Sequence, residues 1–252
     1  MAEPVRSSVE GGVLTLRLDR PEKKNALTRG MYDTLAAALR AAAESPAVRV
    51  VLVAGGADFT AGNDIGDFAT AAEGTPRVAA AFDFLEVLAA FPKPLVAAVR
   101  GVAIGIGTTL LLHCDASVAA REARLQMPFA RLGVVPEAGS SLLLARAVGQ
   151  ARASWLLLSG EAIGGAEAAA AGLVTRAVED AEVEATAAAL AAALAALPPG
   201  AVAESKRLLR APLRAALAEA MAAEREAFAA RLRTPEAQAI FAAFLAKSRA
   251  GG

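Results

Sequence analysis

The sequence predicts an α/β fold that ends in an α-helical C-terminal region. Apolar segments of strand length alternate with segments of helical periodicity between residues 13 and 99. After Asp180, alanine-rich amphipathic segments with little strand character follow one another. Alternating strands and helices favour a sheet that is covered on both faces. We therefore divide the chain into a core, residues 1–199, and a C-terminal helical region, residues 200–252.

The first half of the chain supplies most of the strand signals. Residues 13–18 alternate apolar and polar side chains in their second half, which indicates a strand. Thr28 has the side chain of an N-cap, and the segment after it carries Met31, Leu35 and Leu39 at helical spacing. Further predicted elements are a strand at residues 48–53, a helix at residues 76–91 and a strand at residues 95–99.

A glycine-rich turn at residues 101–107 leads into the second half. The apolar stretch after it, residues 108–112, is too short to classify by periodicity, and its approach favours a turn that leads into a helix N-terminus. The remaining predicted elements are strands at residues 116–120, 123–126 and 173–178, a helix at residues 139–148, and C-terminal helices at residues 182–197, 202–210, 212–233 and 235–247.

The composition indicates a folded chain with a small-molecule partner. Its 252 residues are 56% hydrophobic, which is ample for a buried core. Lys and Arg number 26 and balance 26 Asp and Glu, so the charge gives no reason to expect nucleic acid or an anionic membrane as partner. The single cysteine, Cys114, excludes an internal disulfide and a cysteine-rich zinc site.

The sequence predicts a cytoplasmic protein. The first residues lack the basic start and apolar stretch of a secretory signal, and the last three are not the peroxisomal Ser-Lys-Leu. The longest uncharged alanine-leucine run, residues 185–200, is short for a membrane span and ends beside two prolines. A single thiol is typical of a reducing compartment.

Two small-residue turns follow predicted strands and are candidates for an anion-binding site. They read Phe-Thr-Ala-Gly-Asn-Asp-Ile at residues 59–65 and Gly-Val-Ala-Ile-Gly-Ile-Gly at residues 101–107. The second is not a dinucleotide fingerprint, because position 110 is Leu, and it lacks the Lys of a phosphate loop. Free N–H groups from two such turns are what an oxyanion hole requires. The alternative is that both are ordinary glycine loops.

His113 is the single histidine, and it lies between Leu112 and Cys114 in an apolar segment. A Ser-His-Asp or Cys-His mechanism would have to use it. Both His113 and Cys114 are more typical of core packing in such a segment, so we predict a catalytic role for neither.

Several motifs resemble, in order and spacing, the crotonase (enoyl-CoA hydratase/isomerase) superfamily. They are the segments 21–27, 59–65, 92–107, 114–115, 131–136, 167–168 and 172–174, so the resemblance covers roughly residues 13–178. It implies a core of spiralling ββα turns and an acyl-CoA substrate, with no cofactor. It also implies that the C-terminal helices pack trimers, commonly paired into hexamers; the apolar faces of these helices independently predict a homo-oligomer.

The same resemblance, carried over position by position, implies an oxyanion hole for a thioester. Its donors would be the backbone N–H groups of Ala61 and Ile106, with Ile106 in place of the family's middle glycine. The implied substrate-binding residues are Lys24, Ala26, Ala61, Gly62, Asn63, Asp64, Ile65, Gly105 and Phe129.

The residues that distinguish the reactions of this superfamily favour isomerisation. Hydratases use two glutamates at the positions of Thr109 and Phe129, which cannot transfer a proton usefully. Glu137 matches the single catalytic glutamate of the Δ3,Δ2-enoyl-CoA isomerase branch, although alone it could be an acid at the start of a helix. Glu137 would then move a proton from C2 to C4 of a 3-enoyl-CoA, with a pKa raised by an apolar wall such as Phe129.

Two other functions remain open on the sequence. The same glutamate position could serve another crotonase reaction, such as hydration or the isomerisation of a ring-containing or branched acyl-CoA. An acyl-CoA-binding scaffold without turnover would also lack the two hydratase glutamates.

Overall fold

The computed structural model describes residues 4–66 and 76–250. Its strands are β1 (Val5–Glu10), β2 (Val13–Leu18), β3 (Val50–Ala54), β4 (Leu95–Val99), β5 (Val102–Ile104), β6 (Ala116–Ala120), β7 (Arg124–Gln126), β8 (Ala162–Gly164) and β9 (Arg176–Val178). Its helices are α1 (Arg29–Glu44), α2 (Pro76–Ala90), α3 (Ile106–Thr109), α4 (Ser140–Val148), α5 (Gln150–Ser159), α6 (Gly165–Ala171), α7 (Val183–Ala195), α8 (Pro199–Arg210), α9 (Arg214–Leu232) and α10 (Pro235–Ala250).

The strands form two sheets between which the chain alternates. The larger has the order β1-β2-β3-β4-β6-β9 and is parallel except for the β1–β2 hairpin. The smaller has the order β5-β7-β8, with β7 and β8 antiparallel. The chain passes from β4 to β5 and again from β6 to β7, leaving the large sheet for the small one each time. This repeated step is the predicted ββα spiral.

The core strands are buried because helices cover the large sheet. All five residues of β3 and of β4 are buried. Helix α7 packs on β3, β4 and β6 through a stripe of small residues, and Val183, Ala187 and Ala191 have no exposed surface. Alanines every four residues lie on one helix face and let its backbone approach the sheet closely. Helix α7 therefore belongs to the core.

Predicted elements with a clear pattern are found where they were expected. Strands β2, β4 and β6 occupy the predicted residues, and the Thr28 hydroxyl accepts the N–H of Met31 at 3.4 Å, as an N-cap should. Other predicted bounds shift by a few residues; the strand predicted at 173–178 is the shorter β9, for example.

Five elements were not predicted: β1, β5, β8, α5 and α6. Strand β1 is at the edge of the sheet and buries one residue, Val5, so it has no alternating pattern. Strands β5 and β8 have three residues each, which is too short for periodicity to show. Helix α5 is separated from α4 by a single residue, Gly149, and α6 is mostly alanine.

Lys93 joins helix α1 to the sheet. Its ammonium donates to the carbonyl oxygens of Ala42, Ser45 and Val48, at 2.6, 2.7 and 2.9 Å. These carbonyls lie at and just beyond the C-terminus of α1, which favours a cation. The Pro-Lys-Pro motif at residues 92–94 therefore fixes the entry of strand β4, which leads directly to the glycine turn at 101–107.

The C-terminal helices cover the segment that contains Glu137. Helix α9 packs on α4 and buries Leu217, Glu224 and Phe228. At Gly133, an added Cβ would lie 3.1 Å from the Cα of Ala237 in α10. The C-terminal region is thus part of the surroundings of Glu137 as well as a candidate oligomer surface.

No single helix in the part of the chain that the structure describes is long and apolar enough to cross a membrane. One pair of segments, Asp180–Ala195 and Pro199–Leu232, passes the test of length and composition together, with a bend of 106° between its halves.

Candidate active site

The two small-residue turns lie side by side. The N–H of Thr60 donates to the carbonyl of Val102, and the N–H of Ile104 donates to the carbonyl of Thr60, both at 3.0 Å. An added Cβ at Gly62 would lie 2.6 Å from the Ile104 carbonyl oxygen, closer than any side chain allows. Glycine at this position is therefore what lets the turns meet, and they form one surface.

The structure contradicts the prediction that Ala61 is an oxyanion-hole donor. Its N–H already donates to the carbonyl of Lys24 at 2.8 Å. Within residues 4–66 and 76–250, the N–H of Asn63 and the N–H of Ile106 have no hydrogen-bond partner. Asn63 in the first turn and Ile106 in the second therefore each offer a free N–H. The carbonyl of the Gly62–Asn63 peptide accepts the Leu27 N–H at 2.7 Å, so the Asn63 N–H on the opposite side of this peptide points away from residues 24–27.

Ile106 is well suited to its role as a free donor. It is the first residue of helix α3, and the first N–H groups of a helix have no partner within it. The preceding Gly105 has φ 56° and ψ −119°, a conformation open essentially to glycine alone. The Ile106 side chain is 1% exposed and packs in the core, so isoleucine replaces glycine here without disturbing the donor.

Asn25 explains why the Lys-Lys-Asn-Ala-Leu motif accompanies the first turn. Its side chain donates to the Asp58 carbonyl and accepts the N–H of Arg20, both at 2.7 Å. Its own carbonyl accepts the Thr60 hydroxyl at 2.7 Å. Asn25 is 2% exposed and therefore fixes the motif to the turn from inside the protein.

The structure brings most of the predicted substrate-binding residues together. Residues 24–27 and 61–65 run alongside each other, since the Leu27 N–H donates to the Gly62 carbonyl at 2.7 Å and the Asp64 N–H donates to the Leu27 carbonyl at 2.9 Å. Lys24 is exposed, and Ala26, Ala61 and Ile65 are half-buried. The Asp64 carboxylate is 2.6 Å from Arg20, so its charge is paired beside this surface.

Glu137 is tied to the same short helix that presents Ile106. Its carboxyl is buried, with 4% of the residue exposed, and accepts the Thr109 hydroxyl at 2.5 Å. Thr109 is three residues after Ile106, in helix α3. In the sequence, Thr109 indicated only that the glutamate of the hydratases is absent from this position. In the structure it is the direct partner of the candidate base.

Glu137 does not lie at the start of a helix, which was the alternative explanation for an acid at this position. Helix α4 begins at Ser140, because Ala138 and Gly139 have φ values of +63° and +69°. Left-handed residues cannot continue into a right-handed helix, and an alanine in this region costs ~1–2 kcal/mol. Glu137 is therefore in a strained turn, which is where functional side chains are often found.

The surroundings of Glu137 make it a strong base. The pKa of Glu137 is raised to about 8: burial is the largest cause, the Thr109 hydrogen bond opposes the rise, and the negative charge of Glu224 adds to it. Phe129, predicted as an apolar wall, is buried, and its carbonyl accepts the Val134 N–H at 3.0 Å. It therefore shapes the segment that leads to Glu137; its contact with the substrate stays a prediction.

Tyr32 is a site residue that the sequence did not reveal. It is 2% exposed, and its hydroxyl donates to the side-chain oxygen of Asn63 in a short hydrogen bond. Burial and the charge of Glu137 raise the pKa of Tyr32 well above its usual value, so it remains a neutral donor. A buried tyrosine needs a partner for its hydroxyl, but the sequence could not name Asn63.

His113 and Cys114 have structural surroundings. The Nε2–H of His113 donates to the Ala138 carbonyl at 2.7 Å, and burial lowers the pKa of His113 to about 4, so the ring is neutral and holds the Glu137 turn. Burial raises the pKa of the Cys114 thiol to about 12. No three His, Cys, Asp or Glu side chains converge on a metal-binding position within the described ranges, and we assign no metal ligands.

Known proteins resemble this chain over most of its length. A sequence profile of the family described as enoyl-CoA hydratase/isomerase matches residues 8–250. The Rattus norvegicus protein named enoyl-CoA delta isomerase 2 is 37% identical over 206 residues, which are 80% of this chain and 53% of that protein, so this chain spans about half its length. A Rhodobacter capsulatus protein named probable enoyl-CoA hydratase is 39% identical over 214 residues, 83% of this chain and 82% of that protein.

A solved structure gives the same result for the fold. The structure of Pseudomonas aeruginosa OdaA superposes with a TM-score of 0.92 at 49% identity, covering 96% of this chain and 99% of that one. Together with the family profile, this likeness confirms the predicted fold class.

We expect the substitution Glu137→Gln to stabilise the protein at high pH. The pKa of Glu137 is about 8 in the folded protein, against an ordinary value of 4.5. The pKa of Glu137 is higher in the folded than in the unfolded protein. Its contribution to the free energy of unfolding is therefore fully present below pH 4.5 and is lost as the pH rises through 8. Glutamine can accept the Thr109 hydroxyl and cannot ionise, so above about pH 9 it should gain a few kcal/mol over wild type, at ~1.4 kcal/mol per pKa unit.

Urea denaturation at about pH 5 and about pH 9 measures this difference. Glu226→Gln removes a carboxylate from an exposed position of α9 and should follow wild type at both pH values. If the free energy of unfolding has the same pH dependence in wild type and Glu137→Gln, the pKa of Glu137 is not raised in the folded protein.

Proposed function

The chain belongs to the enoyl-CoA hydratase/isomerase family, the crotonase enzymes that act on acyl-CoA thioesters, and we propose that it converts a 3-enoyl-CoA to a trans-2-enoyl-CoA. The observation that carries this proposal is the hydrogen bond between Thr109 and Glu137. A hydroxyl stands where hydratases of the family carry a glutamate, and it contacts a single buried carboxyl. The name of the Rattus norvegicus relative agrees with the proposal.

The proposed reaction is a proton transfer within the substrate. The thioester oxygen accepts the N–H groups of Asn63 and Ile106, which stabilise the negative charge that develops on it. Glu137 removes a proton from C2, the double bond moves to C2–C3, and Glu137 returns the proton to C4. A pKa of about 8 reduces the difference in pKa between the Glu137 carboxyl and the weakly acidic C–H group at C2. No cofactor is consumed, and CoA is part of the substrate.

Hydration by the two-glutamate route has no support in the site. Position 109 carries a hydroxyl that is already bound to Glu137, and position 129 carries a phenyl ring. Glu224 is the other buried glutamate among the described residues, and both its oxygens accept hydrogen bonds from Gly139 and Ser141. Among the residues that the structure describes, no second buried glutamate is therefore available to activate water.

A hydratase is the second candidate, favoured by the name of the Rhodobacter capsulatus relative. It would have to add water with Glu137 as the single acid and base. The two reactions start from different substrates, so they can be separated directly.

Offered 3-hexenoyl-CoA and 2-hexenoyl-CoA separately, wild type should isomerise the first and hydrate the second slowly or not at all. Glu137→Gln should lower the isomerisation rate by ~10²-fold or more, because the base is lost while its shape is kept. Absorbance of the conjugated thioester follows both reactions. Glu226→Gln, exposed on α9, is the matched control and should retain wild-type rates.

Two results would reject the isomerase. One is rapid hydration of 2-hexenoyl-CoA by wild type, which would favour the hydratase. The other is undiminished isomerisation by Glu137→Gln. CoA binding without deuterium exchange at C2 of any acyl-CoA would instead indicate a scaffold.

The substitution Ile106→Pro should remove one oxyanion-hole donor. Proline suits the first position of a helix and deletes the N–H. Gly105 tolerates a following proline, because its φ and ψ mirror the extended conformation that proline prefers before it. We expect kcat/KM to fall by ~10²–10³-fold.

Ile106→Ala is the control, since it loses at least as much packing and keeps the N–H. It should retain most of the activity, with the fold of both variants checked by circular dichroism and unfolding midpoint. Equal activity of the proline and alanine variants would show that the Ile106 N–H does not contact the thioester oxygen.

The protein should form a homotrimer or a dimer of trimers. A groove of about 1420 Å³ separates the core from helices α8 and α9, and apolar side chains such as Leu143 and Leu217 line it. Leu209, which also lines the groove, is 78% exposed. Light scattering should give three or six copies, and Leu209→Glu should weaken the assembly while Val9→Glu, on exposed β1, does not. A monomeric wild type at micromolar concentration would contradict this proposal.

A further inference from the structure

Helix α9 holds the turn that carries Glu137. Glu224 is 6% exposed, and its carboxylate accepts the N–H of Gly139 at 2.6 Å and the N–H and hydroxyl of Ser141 at 2.9 and 2.5 Å. Both oxygens act as acceptors, which is the bonding of an ionised carboxylate. Its negative charge lies at the N-terminus of α4, where the helix dipole favours it.

The same face of α9 fills the space beside the turn. Leu217, Met221 and Glu224 are four and three residues apart, so they lie on one side of the helix. An added Cβ at Gly139 would lie 2.2 Å from a methyl group of Leu217 and 3.4 Å from Met221. Gly139 also has a positive φ. The shape of the turn and the position of α9 therefore depend on each other.

Three buried titratable groups around the turn, His113, Cys114 and Tyr32, are neutral near pH 7. Burial lowers the pKa of His113, which holds the Ala138 carbonyl, and raises the pKa values of Cys114 and Tyr32. On the outer side of α9, Arg225 is 2.8 Å from Glu86 of helix α2, and both are exposed. Arg210, Lys206 and Asp115 act electrostatically on His113. Among the residues that the structure describes, Glu224 is the charged side chain that bonds the backbone at residues 139 and 141 directly.

We propose that Glu224 is a positioning residue for Glu137. Its carboxylate binds the backbone at residues 139 and 141 and so fixes the turn in which the Glu137 carboxyl meets Thr109, and it places a negative charge close to that carboxyl. The inference rests on the proposed function, in which Glu137 is the base. The charge is the second contribution to the raised pKa of Glu137, after burial.

The test compares Glu224→Gln with Glu226→Gln, which makes the same change two residues away on the exposed side of α9. Glutamine keeps one acceptor but turns an amide N–H₂ towards backbone N–H groups, so the turn should loosen. We expect kcat for 3-hexenoyl-CoA to fall roughly 10-fold or more with little change in KM. The pKa in the pH profile of kcat/KM should fall, because a negative charge beside Glu137 is removed.

A substrate-free readout comes from the ¹³C resonance of the Glu137 carboxyl, identified by its loss in Glu137→Gln. Its pKa should be lower in Glu224→Gln than in wild type. Glu224→Asp keeps the charge on a shorter side chain, so it should hold the pH profile near that of wild type and still lower kcat. If Glu224→Gln does not fold, Ser141→Ala removes one of the three hydrogen bonds and should lower kcat several-fold.

The outcomes separate this inference from the proposed function. The inference is wrong if Glu224→Gln and Glu226→Gln have the same isomerase kcat and the same Glu137 pKa. It is also wrong if Ser141→Ala leaves kcat unchanged. In either case Glu224 only caps helix α4. Absence of isomerase activity in wild type would refute the proposed function. In that case the titration still decides whether Glu224 sets the properties of Glu137.

Discussion

The hydrogen bond between Thr109 and Glu137 is the contact on which the candidate site depends. It joins helix α3, whose first residue offers a free N–H, to the turn that carries the buried carboxyl. Each partner is held independently. The turn before α3 needs glycine at position 105, and the turn at Glu137 is fixed by His113 on one side and Glu224 on the other.

Two features of the Glu137 turn are unfavourable to the free energy of folding. Burial opposes ionisation of Glu137, and Ala138 has a left-handed backbone conformation. Both terms oppose folding, and both suit a base that must be strong and fixed. The surrounding core offsets them, since strands β3 and β4 are buried along their whole length.

Two basic side chains of helix α8 connect the C-terminal region to the core. Lys206 of helix α8 donates to the Lys93 carbonyl and to the Asp115 carboxylate, both at 2.7 Å, and Arg210 donates to the His113 carbonyl at 3.0 Å. Lys93 in turn caps helix α1. The 3₁₀ turn that contains His113 is therefore held from the C-terminal region, and so is the turn that contains Glu137.

The sequence by itself determined the fold class, and it predicted the two turns and Glu137 as the candidate site. Those predictions depend on local patterns: alternating strands such as β2, helical spacing after Thr28, and short motifs that resemble one family. Whether a backbone N–H is free, however, depends on its other hydrogen-bond partners. The Ala61 N–H binds the Lys24 carbonyl, so the free N–H of the first turn is that of Asn63. Tyr32 and Glu224 gave no sequence signal, because their partners are 31 and 83–85 residues away. Only the tertiary structure could bring such groups into contact, since hydrogen bonds and burial depend on distance in space and not along the chain.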